Sequence, residues 1–151
     1  MSTLVLNAGS STLKFALFDQ FAQTEVAGGV VDWHGGGATA ALSLHAPGTD
    51  GKQSITEIAG YGEAVAWILR SLTDSGLHRP VAVVGHRVVH GGSEFSGPTL
   101  IDDQVSQTLE QISELAPLHN PPAITTIAAA RRALPDAAHV AVFDTAFFAG
   151  L

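Results

Sequence analysis

The sequence predicts an α/β fold in which one mixed β-sheet is flanked by helices. Two observations lead to this prediction. Three strand-like segments come first, and helical and strand-like segments then alternate along the chain. The chain has 151 residues, a length typical of one domain that buries most of the surface its unfolded form exposes. We therefore expect a single domain with its own core.

The first part of the chain predicts consecutive strands. The expected strands are residues 3–6, 12–19, 24–31, 40–45 and 53–58. The second of them alternates, with Leu13, Phe15 and Leu17 on one face, and a turn rich in glycine and serine joins it to the first. The last two flank a turn that contains proline and glycine, and we predict that they form a solvent-facing hairpin inserted near residues 38–58.

The second part predicts helices that alternate with strands. The expected helices are residues 61–72, 105–115 and 121–134, and the expected strands are residues 81–84 and 139–143. Apolar side chains recur at helical spacing in the first two helices, and a proline begins the third. Asp102 and Asp103 suit the start of the second helix, where the helix dipole favours acidic side chains. Both strands are continuous apolar runs, typical of strands covered on both faces.

Composition excludes several kinds of partner and site. Seven lysine and arginine residues stand against fourteen aspartate and glutamate residues, a formal net charge of −7, so no basic field attracts nucleic acid. The absence of cysteine excludes disulfides and thiolate metal sites. No apolar run approaches the roughly 18 to 20 residues of a membrane-spanning helix, and no basic leader precedes the first strand. We therefore expect a cytoplasmic protein with no membrane partner.

Polar residues interrupt three apolar strands at their predicted carboxyl ends. Asn7 follows the first strand, Arg87 follows residues 81–84, and Asp144 follows residues 139–143. Ligands of open α/β sheets bind outside the carboxyl ends of the strands, so we expect these three side chains to converge. Any one of them alone would be interpreted as a solvated loop residue or a helix cap, and the three together favour a site.

The turn within residues 7–14 suits a phosphate group. It offers one glycine for close backbone approach, the hydroxyls of Ser10, Ser11 and Thr12, and the positive charge of Lys14. The spacing of a Walker loop is absent, and a strand rather than a helix is predicted to follow. A plain exposed lysine is the alternative interpretation of Lys14.

Four segments carry a family resemblance. In order they are VLNAGSSTLKF at residues 5–15, GHRVVHGG at 85–92, LAPLHNP at 115–121 and VFDTAF at 142–147. Together they resemble the four signatures of the acetate kinases. The resemblance implies the superfamily of acetate and sugar kinases, heat-shock protein 70 and actin, whose two ribonuclease-H-like domains enclose a nucleotide. It further implies that residues 1–151 form the N-terminal domain, with the C-terminal partner domain missing.

The resemblance also implies roles for the polar residues. Asn7 and Asp144 would hold Mg²⁺, with Mn²⁺ as a possible substitute, and Asp144 would also act as the catalytic acid/base residue. Amide and carboxylate oxygens are ligands that such hard cations take. Arg87 would bind the substrate carboxylate, a task that suits its planar guanidinium. The residues implied to bind the nucleotide phosphates are Ser10, Thr12 and Lys14. The alternatives are a capping aspartate at 144 and a structural ion pair at 87.

The same resemblance implies a substrate pocket and a reaction. Val89 and Leu118 would line a small apolar pocket for the substrate methyl group, and His119 would hydrogen-bond a phosphoryl oxygen. In most proteins such apolar residues belong only to the core. The implied reaction is reversible transfer of the γ-phosphoryl group of ATP to acetate, giving acetyl phosphate and ADP. Acetate kinases are homodimers, whereas the oligomeric state of this chain stays open.

Other interpretations remain. Propionate and butyrate kinases share these signatures, and the size of the apolar pocket would distinguish them from acetate kinases. An alternative from another class is a non-catalytic domain that binds a phosphorylated ligand or a partner chain. Members of the family are much longer than this chain, so we expect a truncated form that is inactive alone. Two residues depart from the family pattern, Thr12 in place of the usual serine and Phe148 in place of the usual histidine.

Overall fold

A computed structural model of the chain describes residues 1–19, 21, 24–33, 37–46, 49–77, 80–89, 95, 97–114 and 121–143. Across these residues the chain forms one eight-stranded sheet and three helices. The strands are β1 (Ser2–Ala8), β2 (Thr12–Asp19), β3 (Glu25–Asp32), β4 (Thr39–Ala46), β5 (Thr49–Glu57), β6 (Val81–Val88), β7 (Thr99–Leu100) and β8 (Ala138–Phe143). The helices are α1 (Tyr61–Asp74), α2 (Asp103–Ser113) and α3 (Pro121–Ala133).

The sheet is mixed, as the sequence predicts. Its strands lie in the order β5-β4-β3-β2-β1-β6-β8-β7. Strands β1 to β5 are antiparallel to one another in turn, whereas β6 pairs parallel with both β1 and β8. The short β7 is antiparallel to β8. The antiparallel pairing of β1 to β3 and the parallel pairing of β6 with β1 and β8 agree with the ribonuclease-H-like fold that the resemblance implies.

The predicted strands and helices are confirmed, with some shifted ends. β2 has its predicted bounds, and α1 and α3 begin at the predicted residues. β1 continues to Ala8 and β6 to Val88, so each of these strands is longer at its carboxyl end than predicted. The two-residue β7 is too short to show any periodicity, and the sequence did not predict it. Leu115, the predicted end of the second helix, lies outside the described residues.

The core lies between one face of the sheet and the helices. Leu4 of β1 and the alternating apolar residues of β2 pack with α1 and α3, where Ile68 and Ala130 are fully buried. A second cluster, which includes Phe143 of β8 and Leu109 of α2, lies under the other half of the sheet. The period-two pattern of the strands therefore directs alternate residues toward the helices.

The opposite side of the sheet carries none of the three helices in the described part of the chain. We call this side, which includes Val5, Asn7 and Arg87, the open face. Its side chains are half-buried or exposed along β1, β6 and β8, and Val142 is 48% exposed. Coverage on both faces, predicted from the apolar runs in β6 and β8, is therefore wrong for the residues that the structure describes. Apolar composition alone did not distinguish a covered face from an open one.

The β4–β5 hairpin forms one edge of the sheet. The side chains of β5 whose burial is described are exposed, with Ile55 at 76%, which confirms the predicted solvent exposure for that part of the strand. The prediction is wrong for β4, which buries Ala40, Leu42 and Leu44 in the core. The reason is that β4 pairs with β3 and so extends the main sheet. That the hairpin is an insertion near residues 38–58 stays a prediction.

The predicted acidic start of α2 is confirmed. Asp102 is its N-cap residue, and the Asp102 carboxylate accepts a hydrogen bond of 2.8 Å from the Val105 backbone N–H. The neighbouring Asp103 pairs with Arg131 of α3 at 2.9 Å, which ties the two helices together. Among the helices described, none is both long enough and apolar enough to cross a membrane.

Candidate active site

Asn7 and Arg87 lie side by side on the open face. Leu6 of β1 pairs with His86 of β6, so the next residue of each strand is brought alongside the other. Arg87 Nη1 donates a hydrogen bond of 3.3 Å to Asn7 Oδ1, which confirms that these two residues come together. They were expected just beyond their strands, but each is the penultimate residue of its strand. Pairing between β1 and β6 therefore fixes their separation.

Lys14 completes a row of polar residues across three neighbouring strands. It pairs with Asn7 in the β1–β2 ladder, and the side chains of such a pair share one face with Cβ atoms about 4.5 to 5.5 Å apart. Lys14 and Arg87 are exposed and flank Asn7 on either side. We call these residues the Lys14–Asn7–Arg87 row. Two cationic side chains beside an amide suit an anionic ligand, in a chain whose net charge is −7.

The turn between β1 and β2, Gly9–Ser11, lies next to this row. The Gly9 backbone N–H donates to the Thr12 carbonyl at 2.8 Å and closes the turn. A Cβ atom at Gly9 would lie 3.3 Å from Thr12 Oγ1, so glycine gives this hydroxyl room to approach the backbone. Ser10 is exposed and Thr12 half-buried. The hydroxyls predicted to bind phosphate thus lie at the end of the sheet where Asn7 and Arg87 meet.

Two aromatic residues that the sequence did not single out contact this turn. The Tyr61 hydroxyl donates to the Gly9 carbonyl, and the Trp33 backbone N–H donates to the Ser11 carbonyl at 3.0 Å. Their rings pack together with centroids 4.9 Å apart. Burial raises the pKa of Tyr61, which keeps its hydroxyl protonated as a donor. Tyr61 fits the helical spacing of α1 as an ordinary core residue, so no signal in the sequence revealed this contact.

A buried histidine pair lies on the covered face beside Arg87. His86 Nε2 and His139 Nδ1 are 3.2 Å apart, and the rings are stacked. His139 Nε2 is 2.9 Å from the Leu134 carbonyl, which only accepts, so His139 Nδ1 must accept from His86. Burial, followed by repulsion from His139, lowers the pKa of His86 to about 3, and burial also lowers the pKa of His139. Both rings are therefore neutral at pH 7.

Three predicted site residues lie outside the described residues, namely Leu118, His119 and Asp144. The strand that precedes Asp144 in the sequence ends at Phe143, which pairs with Val88 one residue beyond Arg87. Val89 directly follows β6 and is half-buried. Its place next to the row fits the predicted pocket, but its role and those of the other three stay predictions.

The open face offers one of the oxygen ligands that Mg²⁺ would need. The Asn7 amide oxygen is a hard donor at the centre of the row. In the part of the chain that is described, no group of three or more histidine, cysteine, aspartate or glutamate residues could hold a metal ion. Mg²⁺ commonly keeps several waters and binds through one or two protein oxygens together with substrate phosphates. The Asn7 amide oxygen is therefore a ligand of the kind that fits such a cation.

Comparison with known sequences identifies a family. The model of the acetokinase family matches residues 2–151. The acetate kinase of Oceanobacillus iheyensis is 46% identical over 149 residues, which cover 97% of this chain and 37% of that protein. The acetate kinase of Coprothermobacter proteolyticus is 43% identical over 155 residues, which cover 99% of this chain and 38% of that protein. The chain thus spans little more than a third of the length of these curated relatives.

Comparison with solved structures also finds kinases of this kind. A propionate kinase from Francisella tularensis superimposes with a TM-score of 0.86 at 32% identity, and the match covers 97% of this chain and 37% of that one. The acetate kinase of Porphyromonas gingivalis also gives a TM-score of 0.86, at 35% identity, and the match covers 97% and 38% of the two chains. The fold of the matched region is therefore shared with kinases of short carboxylic acids.

Proposed function

Because the chain belongs to the acetokinase family, we propose that it supplies one side of the active site of an acetate kinase. The complete enzyme transfers the γ-phosphoryl group of ATP to acetate and gives acetyl phosphate and ADP, reversibly. The observation that supports this proposal is the Lys14–Asn7–Arg87 row, in which Arg87 Nη1 lies 3.3 Å from Asn7 Oδ1. Each member matches a residue of a family signature in type and order.

The row provides charge for an in-line transfer between two anions. Arg87 presents a planar guanidinium, which binds a carboxylate through two parallel hydrogen bonds and fixes its orientation. Lys14, on the other side of Asn7, supplies a compact positive charge for phosphate oxygens, and the hydroxyls of Ser10 and Thr12 add neutral donors. Such catalysis depends on position and charge rather than on a covalent intermediate.

The remaining roles complete the proposal. Asn7 and Asp144 would hold Mg²⁺, which would supply positive charge beside the phosphate oxygens, and Asp144 would serve as the acid/base residue. Val89 and Leu118 enclose the methyl group of acetate, and His119 hydrogen-bonds a phosphoryl oxygen. The chain matches 37% of its relatives' length, and its described groups approach a ligand from one side. A site open on the other side admits water, so we propose that the 151-residue chain alone forms no acetyl phosphate.

A chimera tests this proposal. Residues 1–151 would replace the matching 37% of the Oceanobacillus iheyensis enzyme, and ATP-dependent formation of acetyl phosphate would be measured. Arg87→Lys keeps the charge but loses the paired hydrogen bonds, so we expect kcat/KM for acetate to fall at least about tenfold. Arg70→Lys, on the exposed side of α1, is the matched control and should keep full activity. A chimera that folds but is inactive would refute the proposed function. An equal loss of activity in Arg87→Lys and Arg70→Lys would refute the assignment of Arg87.

Propionate is the second candidate substrate. The observation that favours it is the superposition on a propionate kinase with a TM-score of 0.86, as high as that on an acetate kinase. Acetate and propionate differ by one methylene, which a hydrophobic pocket distinguishes by roughly 1 to 3 kcal/mol. Measuring kcat/KM of the chimera for both acids decides between them. A ratio that favours propionate would replace acetate in the proposal.

A further inference from the structure

Two carbonyl oxygens of the Gly9–Ser11 turn accept hydrogen bonds from residues outside the turn. The Tyr61 hydroxyl donates to the Gly9 carbonyl, across 52 residues of sequence. The Trp33 backbone N–H donates to the Ser11 carbonyl at 3.0 Å. Both donors come from other elements, one from the first residue of α1 and the other from the residue after β3. The conformation of the turn therefore depends on contacts outside the β1–β2 hairpin.

These two aromatic residues are themselves fixed in place. Trp33 is 6% exposed, and its indole Nε1–H donates to the Ile58 carbonyl at 3.0 Å. The Tyr61 ring packs against the Trp33 ring at a centroid distance of 4.9 Å. The segment that leads into α1 is held as well, since the Ala59 N–H donates to Glu63 Oε2 at 2.8 Å. The Tyr61 hydroxyl consequently has a defined position when it meets Gly9.

The direction of these carbonyls matters to an anion. A carbonyl oxygen carries partial negative charge and repels phosphate oxygens, whereas amide N–H groups and hydroxyls attract them. Because the carbonyls of Gly9 and Ser11 accept hydrogen bonds from Tyr61 and Trp33, these oxygens are directed at protein donors. The Ser10 side chain remains exposed at the tip of the turn. A turn held in this way presents donors rather than acceptors to a ligand.

We propose that Tyr61 is a positioning residue for the phosphate-binding turn. Its hydroxyl holds the Gly9 carbonyl away from the nucleotide phosphates, and this keeps Gly9–Ser11 in the conformation that binds them. The identity of the ligand, a nucleotide phosphate, rests on the proposed function, whereas the contact between Tyr61 and Gly9 does not depend on it. Tyr61 touches neither substrate nor metal and acts through the backbone of the turn.

Tyr61→Phe tests the contact because it removes the hydroxyl and keeps the ring. Hydrogen exchange would be measured by NMR at two amides that report on the turn, Gly9, which bonds to Thr12, and Trp33. We expect exchange at both amides to rise about fivefold, the effect of losing one ordinary hydrogen bond. The matched control is Thr126→Val, which removes a hydroxyl that donates to a carbonyl inside α3 at 2.8 Å. The control should leave both amides unchanged.

Binding of inorganic pyrophosphate, followed by amide shifts in the same samples, tests the consequence. We expect Tyr61→Phe to weaken binding several-fold and Thr126→Val to leave it unchanged, even if both variants lose similar global stability. Unchanged exchange at Gly9 and Trp33 in Tyr61→Phe would overturn the inference, and so would faster exchange with unaltered affinity. If the unsubstituted chain binds no pyrophosphate, the proposed function of the turn fails, while the exchange data still decide whether Tyr61 holds it.

Discussion

His86 makes the stability of the chain sensitive to mild acid. Its side chain is 2% exposed, and burial together with the neighbouring His139 lowers its pKa from 6.5 to about 3. In the unfolded chain the ring regains its ordinary pKa. Between these two values the unfolded state binds a proton that the folded state does not. Stability contributed by the neutral ring is therefore complete above pH 6.5 and is lost as the pH falls toward 3.

The size of this effect follows from the two pKa values. One pH unit corresponds to about 1.4 kcal/mol for one proton. At pH 5 the unfolded His86 is about 1.5 units below its pKa, while the folded ring is still neutral, so the free energy of unfolding falls by about 2 kcal/mol. His139, whose pKa is also lowered, acts in the same direction. Domains are commonly stable by about 5 to 15 kcal/mol, so this is a measurable share.

Urea unfolding at pH 7.5, 6.5, 5.5 and 5.0 measures the effect. In His86→Gln the titrating ring is gone, and the drop in unfolding free energy between pH 7.5 and 5.0 should be about 2 kcal/mol smaller than in the unsubstituted chain. The comparison uses the slope with pH, because the substitution also lowers stability at every pH. The control is His45→Gln, which replaces an exposed ring 3.1 Å from Glu25 and leaves His86 in place, so the slope caused by His86 should remain. Equal slopes in the unsubstituted chain and His86→Gln would refute the reasoning.

Three further substitutions concern stability, and each can be checked by thermal and urea unfolding. Gly29→Ala should destabilise the chain by more than about 3 kcal/mol, because its Cβ would lie 2.0 Å from the Ser43 carbonyl oxygen. Gly62→Ala, at an open position in α1, should instead stabilise it by up to about 1 kcal/mol, and similar effects at both positions would contradict the reasoning. Asp102→Ala should cost about 1 kcal/mol by removing the bond to the Val105 N–H, and an unchanged midpoint would show that this cap does not matter.

Local patterns predicted most of the elements. The alternation of Leu13, Phe15 and Leu17 identified the buried face of β2, because neighbouring residues of a strand point to opposite sides. The acidic residue before α2 identified its first turn, because the N-cap chemistry is local. The sequence also indicated that Asn7 and Arg87 converge. It misplaced them just beyond their strands, because apolar runs do not show where a strand ends once polar residues take one face.

Contacts between distant segments could not be predicted from the sequence. The hydrogen bond between Arg87 and Asn7 depends on the parallel register of β1 and β6, which no pattern in either strand specifies. The contact of Tyr61 with Gly9 joins a side chain to a backbone carbonyl, and carbonyls carry no sequence signal. The open face was missed for a related reason. A run of valines is compatible with burial on one or both faces, and only packing decides between them.

The alternation of His86 and Arg87 constrains how the gene for this chain can change. The two residues are neighbours in β6, yet the His86 ring is buried and the Arg87 side chain lies on the open face. Inserting or deleting one residue earlier in this strand would exchange their faces, placing a guanidinium in the core and removing it from Asn7. Folding and the proposed recognition of a ligand by Arg87 would then fail together. A substitution in β6 can have a small or a large effect, whereas an insertion or deletion of one residue always reverses the faces. Insertions and deletions should therefore be confined to the connections between strands.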